Sequence, residues 1–192
     1  MAKIFSFGGV ASGQIFQLAS VVPDIDESVQ YSAEVLGVGP FTCSARAFTA
    51  KNGWYRGSTE MPKLTVAHGH NGRLFVEFIQ QHDDVPSVYK EFIDKYGYGF
   101  HHYAIAIAPE EFDKTLNHYY DLGLEDIYTT KIYTGAQIKY IGPKTDTAFE
   151  KMRNEIGVGY LECVEVIDAE DVFFKSMYDA AQNWDGKTLF RD

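Results

Sequence analysis

The stretch Gly99-Phe100-His101-His102-Tyr103-Ala104-Ile105-Ala106-Ile107 decides the fold. A paired histidine opens an apolar run rich in β-branched and aromatic residues and too short for a buried helix, so it reads as a strand. Strand side chains alternate. His102, Ala104 and Ala106 therefore share one face, and Tyr103, Ile105 and Ile107 the other. An imidazole stands at the mouth of a strand whose own face carries small residues, which leaves room for a ligand or a metal. Taken alone, the stretch is read more simply as a core histidine bonded to backbone. What surrounds it changes that reading.

Working outward, the same order of elements occurs twice. Before the stretch, the pattern predicts a strand over 14–22, stopped by Pro23, and a helix over 27–36 capped by Asp24 or Asp26. Val29, Ala33 and Leu36 form its apolar stripe, and Gly37 and Gly39-Pro40 end it. Strands follow over 41–50, 63–68 and 73–80, with a long loop at 51–61 and a hairpin turn at Asn71-Gly72. A short helix is predicted over 86–96. From the paired histidine onward come a strand (101–108) stopped by Pro109, a helix (110–122) ended by Gly123, and strands over 127–133, 137–141 and 159–167. Residues 143–156 read as a charged insertion without a clear period, and 168–184 as a closing helix capped by Asp168.

The fold class is therefore α+β, with two tandem β-α-β-β-β modules and a C-terminal helix. The boundaries are 1–13 for a loose N-terminal arm, 14–82 for the first module and 83–98 for the connecting helix. The second module takes 99–167, and the C-terminal helix and tail 168–192.

Composition narrows the partners. The 192 residues are 45% hydrophobic, enough for a sizeable core, and carry a formal charge of −10. An acidic surface repels phosphate backbones and anionic lipid, so neither nucleic acid nor a membrane is expected as a partner. Cys43 and Cys163 show no zinc spacing and are expected buried and reduced. The N-terminus lacks the pattern of a signal peptide and no apolar run is long enough to cross a bilayer. A cytoplasmic homodimer acting on a small molecule is the expectation.

The repeat brings four polar residues into register. Eighty-five residues separate Gln17 from His102 and also Glu77 from Glu162; sixty separate Gln17 from Glu77 and also His102 from Glu162. Both glutamates lie inside apolar runs, where an unpaired carboxylate is expensive to bury. Either they face solvent or a basic partner, or both point into a shared cavity onto a cation. Recurrence favours the cation. Gln17, Glu77, His102 and Glu162 offer three oxygens and one imidazole nitrogen, a set suited to zinc, nickel, cobalt, manganese or Fe(II).

These residues carry a resemblance. Ile15 to Asp24, Leu36 to Phe41, Val76 to Gln80, Gly99 to Ala104 and Gly159 to Glu162 together resemble the vicinal oxygen chelate superfamily, the glyoxalase, bleomycin-resistance and extradiol dioxygenase group. The resemblance covers about residues 14–167. It implies metal ligands on the first and last strands of each module, at Gln17, Glu77, His102 and Glu162. That set is similar to one branch of glyoxalase I. Methylmalonyl-CoA epimerases resemble the overall run but usually offer His first and Gln second. The implied function is a divalent-metal-dependent lyase, isomerase or epimerase acting by proton abstraction next to a carbonyl, with Glu162 as base and Glu77 as the second carboxylate. A metal-free small-molecule binding protein of the resistance type is the alternative. A ferrous dioxygenase, which needs two histidines and a glutamate, is disfavoured by Gln17.

Further groups have weaker signals. His68 and His70 share a strand face and could chelate, but a strand end beside a hairpin is usually solvated. His101 reads as a neighbour on the face turned away from the carboxylates. Arg46, Trp54, Tyr55 and Arg56 surround the long loop and either hold an anionic, planar or extended substrate or form an ordinary packed loop. Of Lys139 and Tyr140, alternation sends only one into the cavity. Val172, Phe173 and Tyr178 read as a packing stripe.

Overall fold

Each half of the chain lays down the same elements because each carries the same punctuation. A computed structural model describes residues 2–47, 53–132, 134–144, 148–156 and 159–191. The first half comprises β1 (Gln14–Val21), α1 (Ile25–Leu36), β2 (Phe41–Ala47), a two-residue β3 (Trp54–Tyr55), β4 (Lys63–His70) and β5 (Phe75–Gln81). After the connecting helix α2 (Val88–Tyr96) come β6 (Gly99–Ile107), α3 (Pro109–Asp121), β7 (Leu124–Lys131), β8 (Gln137–Pro143), α4 (Ala148–Ile156) and β9 (Tyr160–Glu165). The chain closes with α5 (Asp168–Gln182) and β10 (Phe190–Arg191).

Local chemistry sets the helix ends. Asp24 caps α1, its side chain accepting from the Glu27 amide at 2.9 Å, and Gly37 ends it in the left-handed conformation with φ 65°. Pro109 opens α3, whose missing N–H has no partner to lose at a helix start. The apolar face of α1 is Ile25, Val29 and Ala33; Leu36, expected on that stripe, is 58% exposed. On α5, Ile167 stands at the cap with no side-chain bond, so Asp168 does not cap it as expected.

All ten strands join one mixed sheet in the order β10-β2-β4-β5-β1-β6-β9-β8-β7-β3. The first strand of each module pairs in parallel with its own module's last strand, β1 with β5 and β6 with β9. β1 and β6 pair antiparallel at the centre, so a pseudo-twofold axis passes between them. Two bulges interrupt that central pairing, one skipping Phe16 and one skipping His101, and these residues are also 85 apart.

Three expectations are corrected. The N-terminal segment is not a loose arm: Phe5 and Phe7 are buried among Phe16, Phe75 and Phe174, with Phe7 ring centroids 5.2–5.8 Å from those three. Ser6 ties it to α5, its amide donating to Asp171 Oδ1 at 2.8 Å. Burying two phenylalanines contributes about 3–6 kcal/mol, enough to hold a short segment in place. The charged stretch after β8 contains a helix, α4. Cys43 is exposed rather than buried, whereas Cys163 is buried; both are free thiols.

Candidate metal centre

The centre is built from two adjacent rows of residues across the middle of the sheet. One row runs His68, Glu77, Ala19, His102, Tyr160 across β4, β5, β1, β6 and β9. The next runs Phe75, Gln17, Ala104, Glu162, Tyr140 across β5, β1, β6, β9 and β8. The pseudo-twofold exchanges Glu77 with Glu162, Ala19 with Ala104 and Gln17 with His102. The two alanines are fully buried in the middle and supply the space into which the flanking polar side chains lean. All four expected residues therefore meet within one chain, and all four are buried.

Hydrogen bonding around His102 fixes which of its nitrogens faces the centre. His101 Nε2 lies 3.2 Å from the Val88 carbonyl, which can only accept, so that nitrogen carries a proton. In a neutral ring His101 Nδ1 is then an acceptor, and it takes the His102 Nδ1 proton across 2.8 Å. The His102 Nε2 lone pair is left facing Glu162 Oε2 at 3.2 Å and Glu77 Oε2 at 3.4 Å. It is fully buried and makes no hydrogen bond among the described residues. A lone pair between two carboxylates calls for a cation, either a proton or a metal ion. With a proton there, burial opposes the charge, but Glu162 and then Glu77 outweigh it and lift the imidazolium to about 9.

The donor set fits a divalent ion. One atom each from Glu77, His102 and Glu162 lie within 4.8 Å of one another. Donors about 2.1 Å from a shared ion stand roughly 3–3.5 Å apart, which matches the two His102 separations. Gln17 Nε2 donates to Glu77 Oε2 at 3.0 Å and to Glu162 Oε2 at 3.4 Å. Half a turn of the amide presents Oε1 to the same point.

Sequence reasoning missed two histidines here. His68 is buried, and its Nε2 donates to Glu77 Oε1 at 2.9 Å. Burial pushes the Glu77 carboxyl up, but His68 foremost and His102 hold it well below the usual range. β4 continues through His70, so neither histidine sits at a solvated strand end. His70 stays out of the centre: its Nδ1 accepts from the Gly72 amide at 2.8 Å, and burial pushes it down to about 4, which keeps it neutral. His101 faces the centre because the bulge at its position breaks the alternation that would have turned it away. Gly159 gives way to that bulge: a Cβ there would fall 1.6 Å from the His101 carbonyl oxygen.

The rows form the floor of a cavity open at its mouth, with about 60 Å³ of room for water-sized occupants. Tyr89, Tyr128 and Tyr140 make one wall, with the Tyr89 and Tyr140 hydroxyls 3.2 Å apart. Burial pushes Tyr128 up to about 12 and the other two well above their usual value, so these phenols stay neutral. Tyr140 is thus the residue that faces the cavity, while Lys139 turns away to Asp126 at 2.6 Å. Phe173 and Phe174 of α5 close the opposite side; Val172 is 69% exposed and Tyr178 packs on His70.

The profile of the Glyoxalase/Bleomycin resistance protein/Dioxygenase superfamily matches residues 16–158. The chain belongs to this superfamily. Among solved structures, it is similar to a hypothetical protein from Bacillus halodurans, at 18% identity and a TM-score of 0.57 over 81% of this chain and 95% of that one. It is also similar to methylmalonyl-CoA epimerase from Mycobacterium tuberculosis, at 15% identity and a TM-score of 0.56 over 81% and 89% of the two chains. A third likeness is to the S115T methylmalonyl-CoA epimerase of Streptomyces coelicolor in complex with 2-nitronate-propionyl-CoA, at 16% identity, TM-score 0.56, over 82% and 97%. A comparison with curated proteins gives no match.

Among the described residues, Trp54, Tyr55 and Arg56 do not line this cavity. Tyr55 and Arg56 instead clamp Glu91 of α2: the Tyr55 hydroxyl donates to Oε2, and Arg56 donates to both oxygens at 2.7 and 3.1 Å. Tyr160 adds a third donor at 2.7 Å. Burial raises the Glu91 pKa, but Arg56, Tyr55 and Tyr160 outweigh it and hold the carboxyl down to about 2. Trp54 lines a separate groove beside Asp126 and Lys139. Arg46 lies on β2 opposite Leu64, and its side chain falls outside the described residues.

Proposed function

We propose that this protein is a divalent-metal-dependent enzyme that abstracts a proton next to a carbonyl of a small oxygenated substrate, by lyase, isomerase or epimerase chemistry. The observation that carries the proposal is the buried His102 Nε2 lone pair, without a hydrogen-bond partner among the described residues and flanked by two carboxylates. Gln17, Glu77, His102 and Glu162 would hold the ion, which supplies a Lewis acid for the substrate's adjacent oxygens. Glu162 is the base that takes the α-proton, and Glu77, its twofold mate, can return one from the other side. His68 holds Glu77 in place and keeps it ionised. Of the bonded Tyr89 and Tyr140 hydroxyls one donates to the other, which leaves one phenol proton to offer the oxygen on which negative charge develops. The epimerases to which the fold is similar support this chemistry by analogy. Metal-free binding of the resistance type suits the site less well, since it keeps an imidazolium and two carboxylates buried against one another, a costly arrangement that binding alone does not use.

The test is solvent exchange. Glu162→Gln keeps an oxygen donor but loses the base, so zinc stays bound while turnover and deuterium uptake at the α-carbon fall by roughly 10²–10⁴. His102→Ala should lose the metal without unfolding. Wild-type protein that binds no divalent ion, or Glu162→Gln that exchanges at the full rate, defeats the proposal.

A further inference from the structure

The cavity has a second polar end that the metal chemistry does not use. Glu170 lines it and is only 3% exposed, yet its Oε2 has no hydrogen-bond partner among the described residues. The other oxygen is occupied: Thr134 Oγ1 donates to Oε1 at 2.6 Å, which fixes the carboxylate's orientation. Thr130, 4% exposed, lines the same cavity, and its Oγ1 is likewise unpartnered. Glu170 belongs to α5, where positions 170, 173 and 174 fall on one face, so the carboxylate sits one turn from the two phenylalanines that close the cavity. Native proteins seldom leave a buried carboxylate oxygen and a buried hydroxyl unpaired beside open space. Such groups wait for a donor. Among the described residues, no lysine or arginine lines the cavity, so an anionic tail has nothing to meet there.

We propose that Glu170 and Thr130 form a recognition subsite for a hydrogen-bond donor, a hydroxyl or an ammonium, on the far end of the substrate. The substrate class is then a molecule with adjacent oxygens at one end, an apolar middle lying against Phe173, Phe174 and Ile138, and a donor at the other end. Only the first of these three parts rests on the proposed function. A site built to receive a donor also rejects an isostere lacking it, because its own polar atoms are then left unpaired.

The probes are matched alkyl hydroxamates that chelate through adjacent oxygens and differ only in ending in methyl, hydroxyl or ammonium. They are titrated calorimetrically into zinc-loaded wild type, Glu170→Leu and Thr130→Val. The expected result is that the hydroxyl or the ammonium probe binds wild type at least about tenfold more tightly than the methyl probe, that Glu170→Leu, which can neither accept nor donate, removes the preference, and that Thr130→Val reduces it. Which of the two wins identifies the donor. Equal binding of all probes, or a preference that survives Glu170→Leu, overturns the subsite. A wild type that binds none of them argues against the metal reading instead. Melting then decides the subsite alone. Glu170→Gln keeps the Thr134 acceptor and removes a buried charge, so a carboxylate held unpaired for a ligand predicts a rise in Tm of about 2–4 °C. A fall in Tm marks Glu170 as a structural residue and overturns the proposal.

Discussion

Replacing His101 with phenylalanine tests the chain of hydrogen bonds that points His102 at the metal. The ring has room, since His101 lies 5.1–5.3 Å from the centroids of Tyr89, Phe92, His102 and Tyr160 and a phenyl can occupy the same slot. What is lost is the acceptor for His102 Nδ1 at 2.8 Å and the donor to the Val88 carbonyl at 3.2 Å. Since the Val88 carbonyl also lies within the first turn of α2, the group left unpaired is His102 Nδ1, which lowers stability by about 1–3 kcal/mol. Removing the partner that orients a ligating histidine lowers metal affinity by about 10–100-fold, or 1.4–2.8 kcal/mol. Zinc affinity is measured by competition with a chromophoric chelator, alongside thermal melting with and without zinc. His70→Phe is the control, a second buried histidine that touches Phe75 and Tyr178 but none of the donors. Wild-type zinc affinity in His101→Phe refutes the reasoning, as does an equal loss in His70→Phe.

Other consequences follow from contacts already described. Gly159→Ala should lose both stability and zinc affinity, because its Cβ would overlap the His101 carbonyl; wild-type melting and binding would show that the bulge relaxes freely. Phe7→Ala should cost about 3–5 kcal/mol in urea unfolding, and a loss under 1 kcal/mol would mean that the N-terminal segment is not part of the core. Because Glu91 titrates at about 2 in the fold against 4.5 in a free side chain, its clamp is complete above about pH 4.5 and is lost as pH falls towards 2. Arg56→Met should therefore lower Tm at pH 7 and progressively less below pH 4.5; a Tm difference independent of pH contradicts this.

Much of the scaffold is written in local patterns. The alternation in β6, the proline after β1 and β6, the glycine after each first helix and the fixed 85-residue offset all act within a few residues, so the two modules and the four donors are readable from the chain. His68 is not readable that way. Its burial comes from α5 packing over β4, with Phe173 6.4 Å from its ring, and no pattern near residue 68 announces a helix a hundred residues on. His101 is hidden for a different reason: a bulge adds one residue to a strand, and period-two reasoning then assigns the wrong face. Phe5 and Phe7 did carry a signal, an alternation of aromatic with small or polar residues, masked by the glycines that follow. The pairing of Arg56 with Glu91 is not legible, because a guanidinium on a loop looks the same in sequence whether it is paired within the fold or waits for a substrate.

The donors stand on the fifth and sixth of ten strands and their immediate neighbours, not on loops. Exposing the amides of Leu18 or Tyr103 to solvent means parting strands on both sides, which is close to unfolding the whole sheet. These amides should be among the slowest in the molecule to exchange with deuterium. The wall over the cavity is different in kind, because α5 meets the floor through side chains, with Phe174 and Met177 buried among Phe7, Phe16 and Phe75. The floor stays closed until its ladders part, whereas the wall is held by an aromatic core.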